Sequence, residues 1–367
     1  MFQLVHVSSA QEIAEFHAVQ DIMYLKDPLY VKPMLSDVEH VFDRTANPAF
    51  KDGDAVRFLL KKDGIAIGRV AAFYRIKKEG KMGGMGYFEC IDDKEAAFAL
   101  FDACKTWLIG QECTYMDGPV NFGDRDTFWG LLVENHTYPS YRENYNPSYY
   151  RAFFEAYGFE KEIEQSTSEI TEDQFNFERF TKLSDRVMQS GKYTFVTIDW
   201  AQKEKFARDF ATIYNEAWAH HEDFKPLSQD MVMTRLKQLK PVLMKQFAVF
   251  AYAGERPIGF YISMLEVNQL FRSFKGKMSW WNKLQFILRR GNIDKVRGII
   301  FGVVPNFQNL GIETGLIMKC YEGYKNTPQI KVAELAWIGD FNPKMLSMLV
   351  SLGAHTTKIH YTFRKYF

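Results

Sequence analysis

Four cysteines in 367 residues, none in a C-x-x-C pair and none at ligand spacing from a histidine, exclude a disulfide framework and a zinc ribbon. Cys90, Cys104, Cys113 and Cys320 instead read as buried thiols of a reducing compartment, and no metal site is expected. No run approaches the ~18 apolar residues of a spanning helix. The start, MFQLVHVSSAQEIAEF, lacks the basic and apolar regions of a signal peptide, so a cytoplasmic protein is expected. Charge of one sign is missing too. Lys and Arg total 46 against 45 Asp and Glu, for a net charge of +1. That balance gives no global pull on nucleic acid, and no nucleic-acid partner is expected.

Aromatic residues are plentiful at 16%, with 32 Phe and 19 Tyr. They suit either large cores or a roomy apolar cleft. The length suggests about two domains.

Hydrophobic periodicity and turn signals predict alternating strands and helices, a mixed α/β chain. In the first half, residues 2–7 read as a strand, 10–24 as a helix and 56–74 as a hairpin turning at Asp63-Gly64. A short strand at 86–92, helices at 94–109 and 149–157 and a strand at 161–170 follow. The second half repeats this order, with a hairpin at 247–265, an apolar strand at 296–304, helices at 313–324 and 343–352, and a strand-like end at 355–367.

The repeat has landmarks. Ala66-Ile67-Gly68 parallels Pro257-Ile258-Gly259 at an offset of 191 residues, Asn146-Pro147 parallels Asn342-Pro343 at 196, and Gly158 parallels Gly353 at 195. Similar offsets of about half the chain suggest duplication of one α/β unit. The expected division is 1–170, a linker at 171–192, and 193–367.

Residues 302–316, G-V-V-P-N-F-Q-N-L-G-I-E-T-G-L, run from a buried strand through a short loop into a helix. A strand-to-helix turn presents unpaired amides and the positive end of a helix dipole, a ready phosphate site. Gly311 lets backbone approach a ligand closely. This segment resembles motif A of the GNAT superfamily of acyl-CoA-dependent N-acyltransferases: Gln308-Asn309-Leu310-Gly311-Ile312-Glu313 stands where the pattern has Gln/Arg-x-x-Gly-x-Gly/Ala, with Glu313 replacing the last small residue. Asn342, ahead of a helix that ends at Gly353, resembles motif B, without the usual tyrosine in that helix. The first half has Asp93-Lys94-Glu95 after its strand and no glycine, a poor phosphate cradle.

The resemblance implies two tandem GNAT-like domains, the first degenerate and the second binding acetyl-CoA or a longer acyl-CoA. Val303 and Val304 would hold the acyl carbonyl and pantetheine arm. Gln308, Asn309, Leu310, Gly311, Ile312, Glu313 and Thr314 would hold the diphosphate, and Asn342 belongs to the same set. The partners would be acyl-CoA and an amine. A non-catalytic acyl-CoA sensor and an aminoacyl-tRNA-dependent transferase are the competing readings.

For the proton transfers, three residues stand out. Glu334 lies in an otherwise apolar strand; either burial would raise its pKa, or it is a rim carboxylate paired with Lys or Arg. Asp340 follows at that strand's end, and Tyr361 could protonate the leaving thiolate. His220-His221-Glu222-Asp223 forms a further polar run beside the acceptor side. Residues 118–124, G-P-V-N-F-G-D, are expected to face either an interdomain cleft or the first domain's cap. Finally, residues 270–290, from Leu270 to the pair Arg289-Arg290, form a basic aromatic insertion with Trp281, Leu284, Ile287 and Leu288 in one stripe. It reads as a packed lid, a cover for a long acyl chain, or a peripheral membrane contact.

Overall fold

The computed structural model describes residues 1–219 and 224–367, so the expectation for His220-His221-Glu222-Asp223 falls outside the described residues. Strand β1 (Phe2–His6), helices α1 (Ala10–Met23) and α2 (Leu35–Phe42), and strands β2 (Gly53–Lys62), β3 (Ile65–Lys77) and β4 (Gly80–Cys90) open the chain. Helix α3 (Lys94–Gly110), strands β5 (Tyr115–Gly118) and β6 (Leu131–Glu134), helix α4 (Tyr150–Tyr157) and strand β7 (Glu160–Thr171) complete the first half. Helix α5 (Phe177–Met188) leads to β8 (Tyr193–Thr197), α6 (Lys203–Ala217), α7 (Gln229–Leu239), β9 (Ala248–Ala253) and β10 (Arg256–Leu265). Then come α8 (Asn268–Phe271), α9 (Trp280–Arg289), β11 (Lys295–Val303), α10 (Ile312–Lys325), β12 (Val332–Gly339), α11 (Pro343–Leu352) and β13 (His355–Tyr366).

Local chemistry sets the boundaries. Ser9 starts α1 with a reciprocal capping box to Glu12. Asp63 and Gly64, at φ 53° and 81°, make the tight turn between β2 and β3. Gly158 and Gly353, at φ 87° and 94°, end α4 and α11, which is why those two glycines recur half a chain apart. Strand β4 begins six residues earlier than the sequence pattern suggests, because glycines blur it. Those glycines are needed there. A Cβ on Gly86 would lie 2.0 Å from the Val120 carbonyl oxygen.

Among the described residues, the strands join one 13-stranded sheet in the order β1-β2-β3-β4-β5-β13-β7-β12-β11-β10-β9-β8, with β6 beside β13. Read from either end, the order is five strands of one half followed by the last strand of the other half. Pairing is antiparallel except at β4–β5 and β11–β12. The two exchanged strands pair with each other from His355 opposite Glu169 to Arg364 opposite Glu160. Their side chains serve the other half's core. Phe363 is 2% exposed among Leu100, Phe101 and Phe154 of the first half, and Ile170 packs against Leu349 and Leu352 of the second. Aromatic content goes largely into these cores, with Phe88, Phe101, Phe154 and Phe159 in one and Phe206, Phe250 and Phe260 in another.

Candidate functional site

The parallel ladder between β11 and β12 runs only from Lys295–Val332 to Gly298–Leu335. Both strands continue, β11 to Val303 and β12 to Gly339, so they part into a fork. Ladder geometry says which amides face it. The Val304 N–H donates to the Ile258 carbonyl at 2.9 Å, on the β10 side. Alternation along an antiparallel pair then turns the N–H of Val303, and that of Phe301, away from β10 and toward the fork. Val304 therefore lacks the open donor expected of it, and Phe301, which sequence reasoning passed over, takes that place.

Beyond the fork, the loop after Pro305 leaves Gln308, Asn309 and Leu310 exposed. Gln308 folds back, its Nε2 donating to the Val303 carbonyl at 3.0 Å. Asn309 and Gly311 are left-handed, at φ 62° and 85°. Gly311 is the N-cap of α10 and offers no side-chain acceptor, so among the described residues no side chain caps the first-turn amides of Ile312, Glu313 and Thr314. A Cβ at Gly311 would lie 2.5 Å from Val187 Cγ2 on α5, so the tight passage requires glycine. Glu313 is half-buried on the same turn.

In the first half the equivalent turn is already satisfied. Asp93 caps α3, its Oδ1 accepting from the amides of Glu95 at 3.0 Å and Ala96 at 3.1 Å. A carboxylate thus sits where an anion would bind. The uncapped turn with a left-handed glycine belongs to the second half, and its donors suit an anionic group.

Below the fork lies a buried charge cluster. Glu334 on β12 is 0% exposed; Arg297 Nε on β11 is 3.1 Å from its Oε1, and Lys295 and Lys358 are each 3.6 Å from Oε2. The Ser140 hydroxyl donates to Oε2 at 2.6 Å. Lys358, on the exchanged strand β13, also pairs with Glu143 of the first half. Burial pushes the Glu334 pKa up, but Lys358 and Arg297 outweigh it and hold the carboxyl below its ordinary value. The expected rise is not found, because the neighbouring cations more than replace lost solvation. Glu143 is likewise held down, burial being outweighed chiefly by Lys358.

Beside this cluster a small cleft of mixed lining spans both halves. Asp126, Phe128, Trp129, Arg142 and Glu143 line it from the first half, with Gln165 of β7, Arg297 of β11, Trp337 of β12 and His360 of β13. Of residues 118–124, Val120 and Phe122 pack into a first-half core, so the segment itself caps that half; it is the stretch after it that reaches this cleft. His360 Nε2 lies 3.1 Å from the Asn144 carbonyl, so that nitrogen carries the proton and Nδ1 is left as the acceptor. Burial lowers the His360 pKa. A neutral imidazole in a cleft was not foreseen, since only the strand exchange brings His360 to the cleft that Trp337 also lines.

The remaining sequence candidates lie elsewhere. Asp340 is exposed, its Oδ2 accepting from the Glu164 amide at 3.2 Å, which ties β12 to β7. Asn342 caps α11, its Oδ1 accepting from Met345 N at 3.2 Å. Tyr361 packs against the first-half core with Phe363, under Arg151 and Lys161. The exchange carries it two strands away from β12, and the structure does not bring it to the loop at Gly311.

No family model matches the chain. It is 24% identical over 369 residues to Protein YghO of Escherichia coli (strain K12), covering 96% of this chain and 93% of that protein. It is 23% identical over 373 residues to the bacterial ceramide synthase of Caulobacter vibrioides (strain NA1000 / CB15N), covering 99% and 97%. Among solved structures, a tandem GNAT protein from the clavulanic acid biosynthesis pathway matches 100% of this chain and 98% of its own, with a TM-score of 0.58 at 11% identity. By this likeness the chain has the tandem GNAT fold.

Proposed function

We propose that this tandem GNAT-fold chain transfers an acyl group from acyl-CoA to the amine of a long-chain acceptor. One observation carries the reading: a forked β11–β12 pair opens onto the uncapped start of α10, whereas the matching helix of the first half is closed by Asp93. The relative named a bacterial ceramide synthase, aligned over 99% of this chain, supports the acceptor class, since ceramide is an amide of a long-chain amine.

Acyl-CoA would supply a thioester already activated toward an amine. The amides of Ile312, Glu313 and Thr314, with the loop at Asn309 to Gly311, would hold its diphosphate. The Val303 and Phe301 amides are suited to polarise the thioester carbonyl, because donors fixed by a strand need no reorganisation. Glu334 is engaged by three cations and a hydroxyl, so it suits holding the fork rather than taking a proton. His360, neutral and with an acceptor nitrogen, is the base this reading prefers. Trp337, Trp129 and Phe128 give the small cleft beside His360 its apolar lining.

Thiol release tests it, with palmitoyl-CoA or acetyl-CoA as donor and sphinganine or spermidine as acceptor. Release that requires sphinganine supports the proposal. Acyl-CoA binding without release on any amine would replace it with the sensor reading.

A further inference from the structure

The insertion between β10 and β11 presents its apolar stripe outward. On α9, Trp280, Trp281, Ile287 and Leu288 are 75%, 52%, 62% and 72% exposed, and Leu284, between them, is exposed as well. Positions 280, 281, 284, 287 and 288 fall on one helical face. The opposite face is anchored by Phe286, which is 8% exposed and lies 5.9 Å from Phe271. The stripe is therefore not the packed side of a lid.

Charge around the stripe is one-sided. Residues 267–293 contain Arg272, Lys275, Lys277, Lys283, Arg289 and Arg290 and no carboxylate, in a chain whose net charge is only +1. The helix is also preformed. Ser279 caps it through Asn282 N, Asn282 Nδ2 donates to the Lys277 carbonyl at 2.7 Å, and Arg290 Nη1 donates to the Pro241 carbonyl at 3.0 Å. An amide–carbonyl bond from Leu35 to Gly276, 2.9 Å, ties the approach to the first half.

We infer that α9 docks the protein onto an anionic bilayer surface, its tryptophans and aliphatic side chains entering the headgroup boundary and its cations meeting the lipid phosphates. A large exposed apolar patch costs free energy in water and marks a contact. A preformed helix with tryptophan and aliphatic residues on one face and lysine and arginine around it suits a planar interface. An acid-free basic rim selects a negatively charged partner, and the unbroken apolar stripe favours lipid over nucleic acid. This inference stands apart from the acyl-transfer proposal, since it needs no acyl-CoA.

The test is co-sedimentation of the full chain with vesicles of phosphatidylcholine alone or with phosphatidylglycerol at about 30%, the range in which added cations act measurably. Binding to the anionic vesicles, its reversal by salt, and quenching of tryptophan emission by brominated lipid in the unaltered chain are expected. Trp280→Ser with Leu288→Ser should weaken binding roughly tenfold or more. Lys283→Gln with Arg289→Gln should weaken it by roughly fivefold per cation. All four side chains are exposed, and an unchanged circular dichroism spectrum checks the fold of each variant. Absence of binding and quenching, or equal binding by both variants, would overturn the inference. So would RNA retention or self-association that depends on these residues while vesicles are ignored.

Discussion

Arg297 and Glu334 face each other across the second-to-last rung of the β11–β12 ladder, Nε 3.1 Å from Oε1, where the strands are about to part. Arg297 also reaches outward, Nη1 donating to the Tyr141 carbonyl of the first half at 2.8 Å. One ion pair thus joins the base of the fork to the loop that lines the cleft. Lys358 extends the network from the exchanged strand to Glu143. The fork is held from both halves, so its width depends on the strand exchange.

Lys358→Met removes the cation shared by Glu143 and Glu334, both buried. Stranding a buried charge costs about 3–5 kcal/mol. Urea unfolding should show a loss of this order, and adding Glu143→Gln should recover part of it because the two sites are coupled. A change below about 1 kcal/mol would show the pair to be worth no more than a surface one.

Acid should act through the same carboxylates. Glu143 and Glu334 both have pKa values below the ordinary 4.5 when folded, so the unfolded chain takes up protons first as the pH falls. Their stabilisation is complete above about pH 4.5 and is lost progressively below it. Chain unfolding monitored from pH 6 to 3 should be less steep in Glu143→Gln than in the unaltered protein.

His360→Gln keeps a donor toward Asn144 and removes the basic nitrogen. If His360 takes the amine proton, kcat should fall by about 10²–10⁴ with KM nearly unchanged. Because burial lowers its pKa, the acid limb of the unaltered enzyme should lie below the ordinary 6.5. An acid limb that survives the substitution would assign the base elsewhere.

Much of the fold was legible because local signals repeat: a helix at 343–352, the Asp63-Gly64 hairpin, and the helix-ending glycines Gly158 and Gly353 all form where periodicity and turn chemistry place them. Yet the parallel between Asn146 and Asn342 is only in letters. Asn342 caps α11, whereas Asn146 bridges both backbone groups of Leu132. The exchange of β7 and β13 was hidden, since strand alternation fixes a face and not a partner. That is why Glu334 could not be told from a base with a raised pKa, and why Tyr361 read as a donor to the thiolate. Both assignments depend on contacts far apart in sequence, Lys358 with Glu143 and Phe363 with Phe154. The loop at Gly311 was readable because its chemistry is local: a glycine, a left-handed turn and a helix start.

Calorimetric titration of CoA into the unaltered chain and into Gly311→Asp tests the central claim most directly. The substitution brings a carboxylate to the turn that opens α10, at a left-handed residue and against Val187; Gly311→Asn with Val187→Ala keeps the backbone demand, relieves the crowding and carries no charge. One CoA per chain is expected, with binding abolished in Gly311→Asp and largely kept in Gly311→Asn with Val187→Ala. Undiminished binding by a folded Gly311→Asp, or two molecules of CoA per chain, would contradict it.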